Sequence, residues 1–207
     1  KEGVAIDMPA GPSEVAVYGD SSAVPAFVAA DLLSQAEHGA DSQVLLVSTD
    51  KKFLASVNIT LSTQLEALPR RDFARKAIEN SKAILVETEE EAIDLLNEYA
   101  AEHLILSVRN ADEVCEKIIN AGSIFLGNYT PESCGDYASG TNHTLPTNGH
   151  ARAYSGVSLD SFVKKITVQH ITPEGLKALG PTVEAMAEAE SLQAHKRAVS
   201  LRLSSLS

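Results

Sequence analysis

Residues 83–108 read AILVETEEEAIDLLNEYAAEHLILSV, and this stretch decides the fold. An apolar run at 83–87 is followed by a helical segment at 89–100 and a second apolar run at 103–108. Uninterrupted apolar runs of this length suit strands covered on both faces. The same unit recurs on either side. Upstream lie a short strand at 14–20 (EVAVYGD), a helix near Pro25 that closes at Gly39, and the apolar strand QVLLVS at 43–48. Helices at 51–68 and 71–80 come next, stopped by Pro69 and Asn80, and downstream a helix at 111–120 precedes the strand SIFL at 123–126. Strands alternating with helices predict an α/β fold: a nucleotide-fold-like layer with a largely parallel sheet, followed by a C-terminal helical extension.

Residues 127–158 break the rhythm with Gly127, Pro131, Gly135, Gly140, Pro146, Gly149 and Gly156 among many Ser, Thr and Asn. Loops this long are uncommon and usually functional or disordered. Phe125, Tyr129, Leu145 and Tyr154 interleave with the turn residues, which favours function. Further on, Thr172-Pro173-Glu174 starts a helix and Gly180-Pro181 is expected to end it. Val183 to Leu206 then reads as one long helix, about 24 residues or ~36 Å. Two regions result: 1–165, the α/β portion carrying most of the site, and 166–207, a helical segment expected to pack on a partner subunit.

The 207 residues fit one large or two small domains, with ordinary apolar (44%) and charged (22%) fractions. Lys and Arg number 17 against 28 Asp and Glu, a net charge of −11, and no basic stripe is present. Nucleic acid is therefore not an expected partner. The longest apolar run, around Val44–Val47, is far short of the ~18 residues that a membrane span needs. No cationic segment followed by an apolar one marks a signal peptide. Cys115 and Cys134 are too few for a disulfide framework, so a reduced, cytoplasmic setting is expected. The opening Lys1-Glu2-Gly3-Val4 reads like a piece of something longer.

Several polar residues invite chemistry. Gln35 and His38 stand one turn apart on one helix face and can converge on a point. Imidazole is a common zinc ligand and an amide oxygen an unusual one; a plain polar helix C-terminus is the alternative. Glu102-His103, at the entry to a strand, could supply a water activator and a base. Neighbours in a strand point to opposite faces, so a shared site requires irregular backbone there. The Gly-rich loop offers Asp136 and His143, with Gly135 and Gly140 permitting close backbone approach. Nothing nearby in sequence activates Cys134. On the terminal helix Glu190 and His195 are expected to point ~140° apart, flanking a ligand rather than chelating one ion. His150 and His170 read as surface residues.

Together these segments resemble the histidinol dehydrogenase family, and they resemble the C-terminal half of its usual length. The resemblance is carried by AGPSEV at 10–15, DLLSQAEHG at 31–39, AEHLI at 101–105, GSIFLG at 122–127, GDYASGTNHTLPT at 135–147 and AHKRAV at 194–199. It implies a zinc-dependent oxidation of L-histidinol to L-histidine through L-histidinal with two NAD+, the last step of histidine biosynthesis. By resemblance, Gln35, His38, Asp136 and His195 match the zinc ligands, and Glu102 and His103 the catalytic pair. Ser13, His143 and Glu190 match substrate contacts, joined in that role by Gln35, His38, His103, Asp136 and His195. The NAD contacts of the family lie in the half this chain does not match, so none is expected here. The family forms intertwined homodimers, implying that Glu190 and His195 serve the partner's site. A non-catalytic, truncated zinc- or partner-binding module is the competing expectation.

Overall fold

The computed structural model describes residues 8–9 and 11–206; the opening Lys1–Val4 and Ala10 of the AGPSEV motif lie outside them. The chain groups into two compact units, one ending at Val163 and one beginning at Lys164.

The first unit is a five-stranded parallel sheet. Its strands are β1 (Glu14–Gly19), β2 (Gln43–Ser48), β3 (Lys82–Leu85), β4 (His103–Ser107) and β5 (Ser123–Leu126), in the order β3-β2-β1-β4-β5. Strands β1 and β4 are buried along their whole length, whereas edge strand β3 is mostly exposed. Alternation divides their side chains between two cores. Val15, Val17, Leu46 and Ile105 face one layer, which holds α1 (Pro25–Ala36), α2 (Lys51–Ala67) and α3 (Arg71–Glu79). Ala16, Tyr18, Val47 and Leu104 face the other, with α4 (Glu89–Tyr99) and α5 (Ala111–Cys115). Local chemistry sets the helix starts. The Asp50 carboxylate accepts from Lys52 N and Phe53 N, and Thr88 Oγ1 accepts from Glu91 N beneath a first turn of three glutamates that suits the helix dipole.

Three expectations change. The segment expected to be a helix over 111–120 is helical only to Cys115, and the Gly-rich loop contains a short helix, α6 (Glu132–Tyr137). The helix starting at Pro173 runs through Gly180-Pro181 to Ala189 as α7. A proline ordinarily pushes the preceding residue out of the helix by clashing with its Cβ, and Gly180 has none. The break instead falls at Glu190–Leu192, where Ser191 takes φ 60°. Leu192 N donates to Ala187 O (2.8 Å) and Ser191 N to Glu188 O (2.9 Å), the paired bonds of a Schellman ending. Helix α8 (Gln193–Ser204) then returns antiparallel to α7, with Gly180 packed on Leu203, Glu184 bonded to Ser200 and Glu188 to Lys196. The single long helix expected over 183–206 is therefore a hairpin.

Candidate active site

The candidate side chains of the first unit gather at the amino ends of the strands. Helix α1 follows β1 and returns along the sheet, so its last turn, with Gln35 and nearby His38, ends level with the starts of β1 and β4. Beyond α4, Ala100 takes a left-handed conformation (φ 54°) and Glu102 lies in a bend just before β4. That irregularity puts Glu102 and His103 on the same side: Glu102 Oε2 stands 3.7 Å from His103 Nδ1, and both side chains are buried. Gly122 fits tightly here, because a Cβ on it would lie 2.5 Å from Glu102 O.

Glu14 organises the pair. Its backbone N–H donates to Glu102 Oε2 (3.0 Å), and Glu102 N–H donates back to Glu14 Oε1 (3.3 Å). Asn148 N donates to the same carboxylate oxygen (3.0 Å), tying the Gly-rich loop to β1. The Glu14 carbonyl lies 3.3 Å from His103 Nδ1. A carbonyl only accepts, so Nδ1 carries the proton in the neutral ring and Nε2 presents its lone pair. Nε2 is buried without a hydrogen-bond partner, 3.4 Å from Asp136 Oδ1 but not in hydrogen-bond geometry. Burial lowers the His103 pKa, against the raising influence of Asp136 and Glu14 O, and so favours this neutral form. Burial lifts Glu102 to about 7, helped by the negative charge of Glu14 and Asp136 and opposed by the bond from Glu14 N. Glu14 itself is raised by burial, against the bonds it accepts.

Around His103 stand further donors. Gln35 is fully buried; its Nε2 lies 3.4 Å from His38 Nδ1 and its Oε1 has no partner. Asp136 is carried by α6, and the neighbouring Gly135 admits the Phe125 ring, which lies 5.9 Å from the imidazole of His103. Glu132, 1% exposed, opens α6. Its Oε1 is 2.7 Å from Ser34 Oγ, and its Oε2 is unpartnered. Ser34 Oγ also sits 2.8 Å from Asp31 O. One hydroxyl hydrogen cannot fully serve both acceptors, so a protonated Glu132 donating to Ser34 Oγ satisfies the geometry. Burial agrees, pushing Glu132 up to about 8.

The other sequence-predicted residues are more dispersed. Ser13 precedes β1, with its carbonyl accepting from Gln43 N, and His143 is exposed on the Gly-rich loop. Glu190 and His195 belong to the second unit, on either side of the α7–α8 break and both exposed. The angle expected from one continuous helix does not apply to them. Among the described residues no group of three or more His, Cys, Asp or Glu stands ready to hold an ion. Gln35 is an amide and His195 lies in the second unit, so such a group in the first unit would draw only His38 and Asp136 from the predicted ligands. Sequence reasoning missed Glu14 and Glu132. Each lies in a quoted motif or loop, but a buried carboxylate is visible only once the chain is folded.

Fold and site define an α/β protein with a buried acid–base pair at the amino ends of a parallel sheet. The family model for histidinol dehydrogenase matches residues 1–203. The histidinol dehydrogenase of Bacteroides thetaiotaomicron is 63% identical over 203 residues, covering 98% of this chain and 47% of that relative. The chloroplastic histidinol dehydrogenase of Oryza sativa subsp. japonica is 58% identical over 201 residues, covering 97% and 42% respectively. The crystal structure of histidinol dehydrogenase from Elizabethkingia anophelis matches with a TM-score of 0.96 at 60% identity, covering 99% of this chain and 47% of that one. The chain belongs to the histidinol dehydrogenase family, and it spans about half the length of the curated relatives it matches.

Proposed function

We propose that the natural protein carrying this sequence is a cytoplasmic, homodimeric, zinc-dependent histidinol dehydrogenase. It oxidises L-histidinol to L-histidine through L-histidinal, with two NAD+ as hydride acceptors. The observation that carries the reading is the buried His103, with Nδ1 3.3 Å from the Glu14 carbonyl and Nε2 without a hydrogen-bond partner.

A divalent ion fits the residues present. Gln35 leaves a buried amide oxygen without a partner, and the set Gln35, His38, Asp136 and His195 is nitrogen- and oxygen-rich without thiolate, as suits Zn2+, with Mn2+ or Co2+ as substitutes. When bound, such an ion supplies Lewis-acid polarisation and orientation of the substrate. His103 Nε2 takes the proton of the carbinol hydroxyl as hydride departs to the first NAD+. Glu102, fixed by Glu14 N, takes a proton from the water that adds to the aldehyde, and the second hydride departure yields the carboxylate. Ser13, His143 and Glu190 complete the substrate contacts, with Glu190 and His195 contributed across the dimer. Elemental analysis together with NADH formation from histidinol tests this. About one zinc per site and two NADH per histidinol are expected; a metal-free protein at full activity overturns it.

A further inference from the structure

We propose that the Ser34–Glu132 hydrogen bond is a positioning tie that holds the two ligand-bearing segments of the first unit in place for a divalent cation, with Glu132 as its buried anchor. The inference rests on the reading of Gln35, His38 and Asp136 as zinc ligands. Ser34 immediately precedes Gln35 in the last turn of α1, and Glu132 lies one helical turn before Asp136 in α6. The bond spans 98 residues of sequence, and among the described residues no other hydrogen bond joins α1 to α6. Helix α6 has only six residues and is entered from a loop; besides the tie, Gly135 packs on the Phe125 ring and Asp136 Oδ1 lies 3.4 Å from His103 Nε2, but neither joins α6 to α1.

The residue type is informative. A glutamate that is 1% exposed, with one oxygen unpartnered, is an expensive way to fill space. An apolar side chain of similar size would stabilise the fold at least as well. What an apolar residue could not do is reach Ser34 with a directional bond and so fix the angle between α1 and α6. Groups that hold metal ligands from behind typically contribute a 10–100-fold share of metal affinity.

The experiment uses the natural full-length protein, stripped of metal. It measures the Zn2+ dissociation constant by chelator competition and, in parallel, melting of the metal-free form. Glu132→Ala is expected to weaken Zn2+ binding about 10–100-fold. Glu132→Gln should stay close to the unsubstituted protein, because an amide can accept from or donate to Ser34 Oγ. Ser34→Ala should weaken binding in the same direction, and the double variant Ser34→Ala/Glu132→Ala should be no weaker than Glu132→Ala alone. Unchanged Zn2+ affinity in Ser34→Ala and Glu132→Ala, or losses that simply add, would overturn the tie while leaving the zinc site standing. Glu132→Gln binding as weakly as Glu132→Ala would also overturn it. If Glu132→Ala does not fold, Ser34→Ala and Glu132→Gln decide. No Zn2+ on the unsubstituted protein would overturn both the tie and the reading beneath it.

Discussion

At the carboxyl ends of β1 and β4 the Asp20 carboxylate accepts from Ser22 N (2.8 Å), Ser22 Oγ (2.5 Å) and Arg109 N (3.2 Å). Nearby, Asn128 accepts from Val24 N and donates to Ser22 O. At the amino ends of the same strands Gln35 Oε1, His103 Nε2, Glu132 Oε2 and Thr147 Oγ1 are buried without partners. Open α/β sheets generally bind ligands outside the carboxyl ends of their strands. Here the polar groups named at that end are paired with one another, and the opposite end holds buried polar groups without partners. Polarity alone does not mark a site; unmet hydrogen-bonding capacity does. The predictions below are ways to break that contrast.

The largest effect is expected at the amino end. His103→Ala should depress turnover of both histidinol and histidinal on the order of 10²–10⁴-fold. Glu102→Ala should fall more heavily on the histidinal step, since in the proposed mechanism water addition occurs only there. NADH formation from each substrate separates the two roles. Near-normal turnover of both substrates by His103→Ala would remove the acid–base assignment.

Next comes Gly122→Ala. The added Cβ would meet Glu102 O at 2.5 Å and Leu145 Cβ at 3.2 Å, so the backbone carrying the proposed catalytic pair must shift. Overpacking of this kind costs about 1–3 kcal/mol. Chemical denaturation should show that loss, accompanied by reduced turnover. A stable but inactive variant would show that the site moved while the fold held.

How far the sequence revealed this arrangement differs by element. The apolar runs at 43–48 and 103–108 identified the parallel sheet because strands covered on both faces cannot conceal their composition. Glu102 and His103 were visible as a pair, and the irregular backbone they require is the bend after Ala100. The α7–α8 break was not legible: Gly180-Pro181 looks like a stop, and Ser191 does not look like a left-handed residue. Only bonds formed at the helix end decide between them. Glu14 and Glu132 were equally hidden, because an acidic residue near a Gly-rich loop ordinarily faces water, and burial is a property of the folded chain.

A smaller effect is expected from pH. Burial holds Glu102 at about 7 and Glu132 at about 8, each against 4.5 when exposed, and Asp31 at about 7 against 3.8. Between these limits the folded state keeps protons that the unfolded chain has released. The contribution of these three carboxyls to the stability of the metal-free protein should therefore be greatest at low pH within this window, with the lowered His103 acting in the opposite sense. The carboxyl contribution should decline as pH rises through the folded values and level off above about 8. Glu132→Gln removes one such group and should make the decline shallower, as read from urea midpoints at several pH values. An unchanged slope would mean that Glu132 is ionised in the fold.

The smallest effects should come from polar residues whose bonds are complete or whose side chains face water. Cys134 lies in α6 between Glu132 and Asp136, but its side chain is exposed, so Cys134→Ser should leave turnover nearly intact. Asp20→Asn provides the sharper control. Burial alone would raise the Asp20 pKa, but the bonds from Ser22 and Arg109 outweigh it and hold the carboxylate below its ordinary range. An amide retains one acceptor oxygen and loses the charge, so part of this network should survive at a cost of about 1 kcal/mol. The sign of the pH dependence is opposite to that of Glu132: the Asp20 contribution is present above the unfolded value and is lost as pH falls through the lower folded one. Asp20→Asn should therefore lower stability mainly near neutral pH and converge with the unsubstituted protein in acid, while NADH formation from histidinol stays unchanged. A marked fall in turnover with only a small loss of stability would place chemistry at the carboxyl end of the sheet and undo the contrast between its two ends.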